Sequence, residues 1–397
     1  MTCSPRPPRI PAVWMRGGTS KGLFVLAQDL PSDNAARDRL LLRMMGSPDP
    51  SGRQLDGIGG GSSSTSKVAI LSRSTRPGFD VDYLFGQVAT DCALIDYSGN
   101  CGNLTAAVAL FAAERGWTAP HQAAAGALRS TRIWQANTAQ RIEVDVPWGL
   151  NGPAEVGSFA EPGVSFAGPE LHLRFFRPAG AGCGRGLLPT GQVKELLDDG
   201  GRRVSATLVD AGNPMVFVRA HDFGCRGTET PQQLAASPGL LARLAWIRAQ
   251  AAARMGLVEH PEEADHTCPA TPKVALVGPA ADYRTSSGVE IRADQYDVCA
   301  RVLSMGQPHG AFTGTGAIAL VAAATLPDSL VGELSSGSSL TGTFRLRLGH
   351  PAGTMELTAE VAATADQGGE LNCAGFSRTA RVLMDGWLVP PVGAHGF

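Results

Sequence analysis

The chain has 397 residues, a formal net charge of −2, 43% hydrophobic residues and 18% charged residues, values typical of a globular protein. This length exceeds one ordinary core and favours two domains, while the balanced charge gives no reason to expect a nucleic acid or an anionic membrane as a partner. No apolar run approaches the roughly 20 residues that span a bilayer, and the Pro-rich start contains no apolar signal segment.

The cysteines and histidines do not suggest a disulfide framework or a metal site. Eight cysteines are scattered along the chain without a CxxC pair, which favours reduced thiols and predicts a cytoplasmic location. The segment 260–266 contains two histidines and three acidic residues, but it lacks the ligand spacing of zinc sites. We therefore expect no metal and interpret this segment as a solvated loop.

The first predicted elements are two strands, 10–15 and 23–26, joined by a glycine-rich loop. Arg16, Thr19 and Ser20 place several hydrogen-bond donors in this tight turn. The loop is a candidate binding site for a carboxylate or a phosphate, and an ordinary polar hairpin explains the same residues equally well. A helix is predicted next, over 33–45, with Asp33 as a candidate N-cap.

A Gly/Ser-rich loop, 57–66, leads into Lys67 and a predicted strand, 68–71. The loop is not a P-loop, because that motif needs Gly-Lys-Ser/Thr between a strand and a helix. A single lysine is usually a surface residue, but a loop of this composition has no packing role of its own. Ser66 and Lys67 are therefore candidate functional residues.

A third turn, 98–103, ends a predicted strand and opens an apolar helix over 104–115. The free N–H groups and the positive dipole end of a helix favour a nearby anion and stabilise a thiolate. Cys101 is therefore either a reactive thiol or a structural cysteine beside a tight turn. The other polar or small residues of this turn include Asn100, Gly102 and Asn103.

The second half of the chain repeats this plan. A predicted strand enters the turn that contains Asn213, and a Gly-rich run opens a second apolar helix, over 317–325. His309 lies beside a Gly/Pro turn and is either a substrate contact or an ordinary turn histidine. The other elements predicted here are a strand at 273–277 and helices at 192–197, 240–255 and 296–305.

The turns before the two apolar helices are similar in sequence. Residues 101–107 (CGNLTAA) align with 313–319 (TGTGAIA), which suggests two pseudo-equivalent lobes. Their helix N-termini would face one cleft, to which Gly314 and Thr315 would belong. Two positive helix ends suit a substrate with several carboxylates.

Motifs spread over nearly the whole chain closely resemble the 2-methylaconitate cis–trans isomerase family, the PrpF-like proteins. That family includes 4-oxalomesaconate tautomerases, aconitate isomerases and 3-methylitaconate isomerases. Four of the motifs are MRGGTSKG at 15–22, DGIGG at 56–60, STSK at 64–67 and SGNCGNL at 98–104. The others lie at 46–50, 188–191, 210–214, 303–306, 350–353 and 378–381.

The resemblance implies a fold of the α/β (α+β) class, similar to that of diaminopimelate epimerase. Two pseudo-symmetric lobes, 1–190 and 191–397, would each wrap a curled, mostly antiparallel sheet around a central apolar helix. The active site would lie between them. The last strand, about 380–397, is expected to pack back on the first lobe.

The resemblance also implies roles for individual residues, with Lys67 and Cys101 as the proton-transfer pair. Epimerases of this fold carry a second cysteine before the other central helix, and Thr313 occupies that place here. This difference argues against an amino-acid racemase. The candidate substrate-binding residues are Arg16, Thr19, Ser20, Ser66, Asn100, Gly102, Asn103, Asn213, His309, Gly314 and Thr315.

The expected enzyme is a cofactor-independent isomerase that transfers a proton on an unsaturated tricarboxylate such as 2-methylaconitate or aconitate. Cis–trans exchange or an allylic 1,3-shift of the double bond would pass through a dienolate, which needs a base and nearby positive groups. The alternatives are a 4-oxalomesaconate-type tautomerase of aromatic-acid catabolism and a non-catalytic carboxylate-binding protein. The expected partners are a small di- or tricarboxylate and, in a homodimer, a second copy of the chain.

Overall fold

The computed structural model describes residues 9–118, 126–198, 201–335, 341–363 and 369–391. Within these ranges the chain forms two lobes of similar topology, each with a long sheet around an apolar helix. No helix in this part of the chain combines the length and the apolar character that a membrane crossing requires. The seven cysteines in the same ranges are free thiols.

The first lobe contains most of the elements predicted for it. The helix predicted at 33–45 is confirmed, and its N-cap Asp33 accepts a 2.8 Å hydrogen bond from the Ala36 N–H. In chain order the elements are β1 (Ile10–Gly17), β2 (Ser20–Leu26), α1 (Asn34–Met45), β3 (Lys67–Arg73), β4 (Val81–Val88), β5 (Ile95–Asp96), α2 (Gly102–Glu114), β6 (Leu128–Gln135), β7 (Gln140–Pro147) and β8 (Leu171–Phe176).

The second lobe begins with β9 and continues through the rest of the described chain. Its elements are β9 (Glu195–Asp198), β10 (Arg203–Ala211), β11 (Asn213–Arg219), α3 (Pro231–Ala235), α4 (Pro238–Met255), α5 (Ala264–Thr267), β12 (Lys273–Pro279), β13 (Tyr283–Arg284), β14 (Glu290–Ile291), β15 (Val298–Ser304), β16 (Gln307–Pro308), α6 (Gly314–Ala324), β17 (Gly342–His350), β18 (Gly353–Ala363), β19 (Gly369–Arg378) and β20 (Ala380–Leu388).

The two lobes share one strand order, which confirms the predicted repeat. The first sheet runs β8-β7-β6-β4-β3-β2-β1, with the β6–β4 and β3–β2 pairs parallel. The second runs β19-β18-β17-β15-β12-β11-β10, with the β17–β15 and β12–β11 pairs parallel. Strands β8 and β19 pair with each other and join the two sheets.

Each sheet gains one further strand at its other edge. β9 pairs with β10 in the second lobe, and β20 pairs with β1 in the first lobe. The chain therefore returns to the sheet in which it began. Residues 392–397, which were included in the predicted last strand, lie outside the described residues.

The helices α2 and α6 form the centres of the two lobes. All of α6 is buried, as is α2 up to its last residue, Glu114. A helix that is surrounded by a sheet needs no polar face, which explains why both are made almost entirely of small and apolar residues. Their side chains pack with strands of both lobes into one core.

Two of the predicted helices are strands in the structure. Residues predicted as a helix at 296–305 form β15, which pairs with β12 and β17. The helix predicted at 192–197 is replaced by β9, at the edge of the second sheet. Val298 and Val302 are β-branched and favour a strand, and pairing with buried neighbours outweighs the helical pattern.

Candidate active site

The N-termini of the two central helices meet at the boundary between the lobes. α2 begins after its N-cap Cys101, and α6 begins after its N-cap Thr313; neither side chain bonds to its own helix. A Cβ on Gly102 would lie 2.9 Å from the Thr315 backbone N, and a Cβ on Gly314 would lie 2.9 Å from the Asn103 backbone N. Glycine permits this close approach, so two positive dipole ends lie side by side.

A small cavity lies at these helix ends and receives residues from both lobes. Its volume is about 20 Å³, room for about one water molecule. Every predicted site residue lines it except Arg16, Thr19 and Ser66. The lining residues that were not predicted are Phe85, Gln87, Gly99, Ala270, Lys273, Ser304 and Thr313.

Lys67 enters the cavity from the first residue of β3, where its cross-strand partner on β4 is Gln87. The Lys67 Nζ donates a 2.5 Å hydrogen bond to Gln87 Oε1, and Gln87 Nε2 donates to the Ser66 carbonyl at 2.9 Å. The ammonium also lies 5.1 Å from the centre of the Phe85 ring. Burial lowers the pKa of Lys67, and the charge of a Cys101 thiolate opposes that effect.

Cys101 faces the same cavity from the start of α2. Its side chain is buried, and its carbonyl accepts hydrogen bonds from the Thr105 N–H and hydroxyl, both at 3.1 Å. These contacts fix the backbone of the cap while leaving the thiol free. The structure therefore brings the predicted amine and thiol into one cavity, close enough for the two charges to interact.

Lys273 is a second buried lysine in this cavity and is not among the predicted site residues. It begins β12, and its Nζ donates a 2.6 Å hydrogen bond to the Ala270 carbonyl. Burial and the positive charge of Lys67 lower the pKa of Lys273 to about 8. The sequence carries a signal for it, because TPKVALV at 271–277 repeats TSKVAIL at 65–71.

Several polar side-chain atoms at the cavity have no hydrogen-bond partner among the described residues. They are the Oδ1 and Nδ2 atoms of Asn100 and the Oγ1 atom of Thr313. A buried polar group without a partner costs about 1–3 kcal/mol, so such groups are rare unless they serve a ligand or a water. Asn100 and Thr313 are therefore available to a polar ligand.

Two predicted residues, Asn103 and Asn213, use their amides to hold the site together. Asn213 Oδ1 accepts a 2.8 Å hydrogen bond from the Asn100 N–H. Its Nδ2 donates to the Asn100 carbonyl and to Thr315 Oγ1, each at 2.9 Å. Asn103 donates to Thr19 Oγ1 at 3.1 Å and more weakly to Ser20. These contacts connect the turns of both lobes to the helix ends.

The three predicted residues that do not line the cavity have other partners. Arg16 donates to the Gly18 and Thr379 carbonyls at 3.1 and 2.9 Å, and thus supports the first hairpin turn. Thr19 lines a larger neighbouring cavity of about 620 Å³. The Ser66 hydroxyl accepts a 2.8 Å hydrogen bond from the side chain of Gln54.

Arg378 is a buried cation that was not predicted as a site residue. Its Nε donates to Asn103 Oδ1 at 2.8 Å and lies 3.3 Å from the Glu161 carboxylate. The family-like motif at 378–381 contains Arg378, but the motif does not reveal that Arg378 contacts Asn103 and Glu161, which are distant in the sequence. Arg378 lines the larger cavity and supports the Asn103 side of the smaller one.

His309 approaches the cavity from the second lobe. Its Nδ1 accepts the Ala311 N–H at 3.1 Å, and its Nε2 lies 3.3 Å from the Ser64 hydroxyl in the Gly/Ser loop. Burial lowers the pKa of His309 to about 4. The imidazole is therefore neutral at pH 7 and connects the Gly/Ser loop to the second lobe.

The segment 260–266 is rich in acidic residues and contains two histidines. Within the ranges that the structure describes, no group of three or more His, Cys, Asp or Glu side chains could hold a metal ion. The segment contains a short 3-10 turn, Pro261–Glu263, and the helix α5.

The sequence matches a known protein family along almost its whole length. The family model described as "PrpF protein" matches residues 8–391. A 2-methyl-aconitate isomerase of Shewanella oneidensis is 42% identical over 395 residues, which cover 96% of this chain and 97% of that protein. A 2-methyl-aconitate isomerase of Cupriavidus necator is 43% identical over 393 residues, with the same coverage of each chain.

Solved structures agree with this match. The crystal structure of a methylitaconate-delta-isomerase superposes with a TM-score of 0.75 at 34% identity, covering 97% of this chain and 96% of that one. A hydroxyproline epimerase from Agrobacterium vitis has the same fold, with a TM-score of 0.56 at 10% identity over 96% of this chain and 92% of that one. The epimerase-like fold predicted from the sequence is thus confirmed, and the chain is an isomerase that belongs to the PrpF protein family.

Proposed function

We propose that this isomerase moves a proton on an unsaturated tricarboxylate of the 2-methylaconitate type, with Lys67 and Cys101 as the acid–base pair. The observation that carries the proposal is a cavity in which a buried amine and a free thiol lie at two joined helix N-termini. The 42–43% identity to two 2-methyl-aconitate isomerases supports the choice of substrate class.

The proton transfer proceeds in two steps. One member of the pair removes a proton from the carbon next to a C=C–COO⁻ unit, so the C–H bond breaks and its electron pair delocalises as a dienolate. The other member then donates a proton to one end of the dienolate, forming a new C–H bond. Proton return at the far carbon moves the double bond, and rotation before the return exchanges cis and trans isomers.

The lowered pKa of Lys67 supports its part in this chemistry. A lysine acts as a base only when it is neutral, and burial among apolar and amide groups favours the neutral amine. Gln87 holds Nζ at one place, and Phe85 excludes water from its side. An acid–base group placed in this way contributes a rate factor of about 10²–10⁴.

The charge on the dienolate also requires stabilisation. The two helix N-termini supply backbone N–H groups and positive dipole ends, which stabilise an anion most strongly where water is excluded. The side-chain amide of Asn100 and the hydroxyl of Thr313, which have no hydrogen-bond partner within the described ranges, offer further hydrogen bonds. The site thus provides donors for several carboxylates at once.

A tricarboxylate is much larger than a cavity of about 20 Å³, so binding requires a more open arrangement of the walls. The Gly/Ser loop meets the second lobe through the contact between Ser64 and His309. Opening at this contact would admit the substrate, and closure would exclude water from the dienolate.

The direct test is incubation in D₂O with 2-methylaconitate, cis- and trans-aconitate and 4-oxalomesaconate, followed by ¹H NMR. We expect deuterium incorporation and isomer formation with 2-methylaconitate or aconitate. Turnover of 4-oxalomesaconate alone would instead identify a tautomerase, and binding without exchange would identify a carboxylate-binding protein. The proposed steps need only proton donors and acceptors, so dialysis against EDTA is expected to leave the rate unchanged.

A further inference from the structure

Lys67 and Lys273 occupy equivalent places in the two lobes. Each is the first residue of a strand that runs parallel to the second strand of its lobe's hairpin, β3 beside β2 and β12 beside β11. The cross-strand neighbour of Lys67 is Gln87. In the second lobe, Lys273 and Ser304, from the paired strands β12 and β15, line the same cavity as Lys67 and Gln87.

The burial of these two lysines is unusual for this chain. The chain has four lysines among its 34 basic residues, and arginine is its usual surface cation. Lys67 and Lys273 are 7% and 9% exposed and lie in the same cavity. Lysine is almost never buried without a partner or a function, so two in one small space point to a shared role.

The surroundings of the two amines differ in charge. Lys67 bonds to a neutral amide and packs on an aromatic ring. Lys273 lies near the carboxylate of Asp96, which favours its ammonium form. Two ammonium groups in one cavity repel each other, and Asp96, which lies on β5 of the first lobe, stabilises the charge of Lys273 across the boundary between the lobes.

The backbone that carries Lys273 is held on three sides. The Ala270 N–H donates to Asp96 Oδ2 at 2.8 Å, and Thr271 Oγ1 lies 2.8 Å from Ser98 Oγ. Arg248 donates to the Thr271 carbonyl at 3.3 Å. This lysine is therefore fixed at the cavity by contacts from both lobes.

We propose that Lys273 is a catalytic residue that binds, as an ammonium ion, the substrate carboxylate on which negative charge builds in the dienolate. The inference rests on the proposed function and assigns the second lobe a separate task. Lys67 exchanges the proton as a neutral amine, and Lys273 supplies a fixed positive charge. Repulsion between the two amines favours one positive charge in the cavity over two.

Substitution separates a charge role from a proton-transfer role. Lys273→Met removes the charge at similar volume and is expected to lower kcat/KM at least about 10²-fold, as loss of one oxyanion donor does. Lys273→Arg keeps a charge but cannot exchange protons near neutral pH, and we expect it to retain at least about tenfold more activity than Lys273→Met. The control is Lys194→Met, which removes an exposed lysine paired with Glu333.

The pH profile of kcat/KM distinguishes the loss of the Lys273 charge from a loss of packing, which would not shift the profile. The groups that act on Lys273 are Lys67, Asp96, Cys101 and Arg248. Removing the positive charge of Lys273 raises the pKa of Lys67, so the acidic limb of kcat/KM moves to higher pH in Lys273→Met. The limb stays in place in Lys273→Arg.

NMR of protein labelled with ¹³C-lysine tests the same point without turnover, because four lysines give a simple spectrum. Lys67 is expected to titrate below Lys273, and the unreactive tricarballylate ion to raise the pKa of Lys273. Three results would each overturn the inference. The first is a Lys273→Met variant as active as the wild type, and the second is an equal loss of activity in Lys273→Arg and Lys273→Met. The third is titration of Lys273 at a lower pH than Lys67. If the wild type neither incorporates deuterium nor forms an isomer in D₂O, the proposed function is overturned instead. The order in which Lys67 and Lys273 titrate still decides whether Lys273 is charged.

Discussion

The two lobes have the same strand order and the same central helix, yet their cavity residues differ at matching positions. The first lobe presents Lys67 beside Gln87, with Cys101 at its helix start, whereas the second presents Lys273 beside Ser304, with Thr313 at its helix start. A thiol exchanges protons near neutral pH and a hydroxyl does not. The comparison therefore supports the proposal that proton transfer belongs to the first lobe and binding of charge to the second.

Replacing the proton-transfer groups gives the largest expected effect. Lys67→Ala and Cys101→Ala should each lower kcat at least about 10²-fold, the usual effect of a lost acid–base group. The measurement is the rate of isomer formation by NMR. Cys373→Ala is the matched control, since Cys373 is a buried free thiol of β19 that does not line the cavity. Near-normal turnover in either first-lobe variant would remove that residue from the mechanism.

The next prediction concerns the contact between the lobes. Asn213→Ala removes three hydrogen bonds from the second-lobe turn. It deprives the buried Asn100 N–H of its partner and leaves the Asn100 carbonyl with only the long 3.4 Å bond from the Thr315 hydroxyl. We expect the free energy of unfolding to fall by about 3 kcal/mol, since each unsatisfied buried group costs about 1–3 kcal/mol. Urea denaturation at pH 7 measures this loss. Asn137, which bonds within the first lobe to Phe85, is the comparison site. A loss below about 0.5 kcal/mol in Asn213→Ala would show that the turn rearranges and does not depend on this amide.

A smaller effect is expected from His309, the second-lobe contact of the Gly/Ser loop. Because its pKa is lowered to about 4 in the folded state, the unfolded chain binds more protons between pH 6.5 and 4, and stability falls as the pH falls through that window. Between pH 6.5 and 5 this loss amounts to about 1.6 kcal/mol. Urea denaturation of wild type and His309→Gln at both pH values checks it, and parallel losses in the two proteins would contradict the assignment.

Much of the fold follows from local sequence. The apolar helices α2 and α6 were predicted because their composition leaves no polar face, and the similar turns before them indicated two lobes. Lys67 and Cys101 were predicted together through a family resemblance. The structure shows them in one cavity, although they are 34 positions apart in the sequence.

The unpredicted parts depend on register and pairing. Gln87 becomes the partner of Lys67 through the pairing of β3 with β4, and neither segment contains this information alone. Residues 298–304 form a strand because they pair with β12 and β17, and this pairing outweighs the helical pattern of the segment. Comparison of the two halves of the sequence could have identified Lys273, since TPKVALV at 271–277 aligns with TSKVAIL at 65–71.

The smallest predicted effect tests the second lobe at the position that matches Cys101. Thr313→Val keeps the side-chain shape and removes the buried hydroxyl that has no partner among the described residues. If this hydroxyl bonds to a substrate carboxylate, kcat/KM should fall by about tenfold, the lower end of the value of one hydrogen bond to a charged group. Thr313→Ser should retain the wild-type value, because it keeps the hydroxyl. A loss in Thr313→Val as large as that in Cys101→Ala would mean that the second helix start takes part in proton transfer, and the division of tasks between the lobes would be wrong.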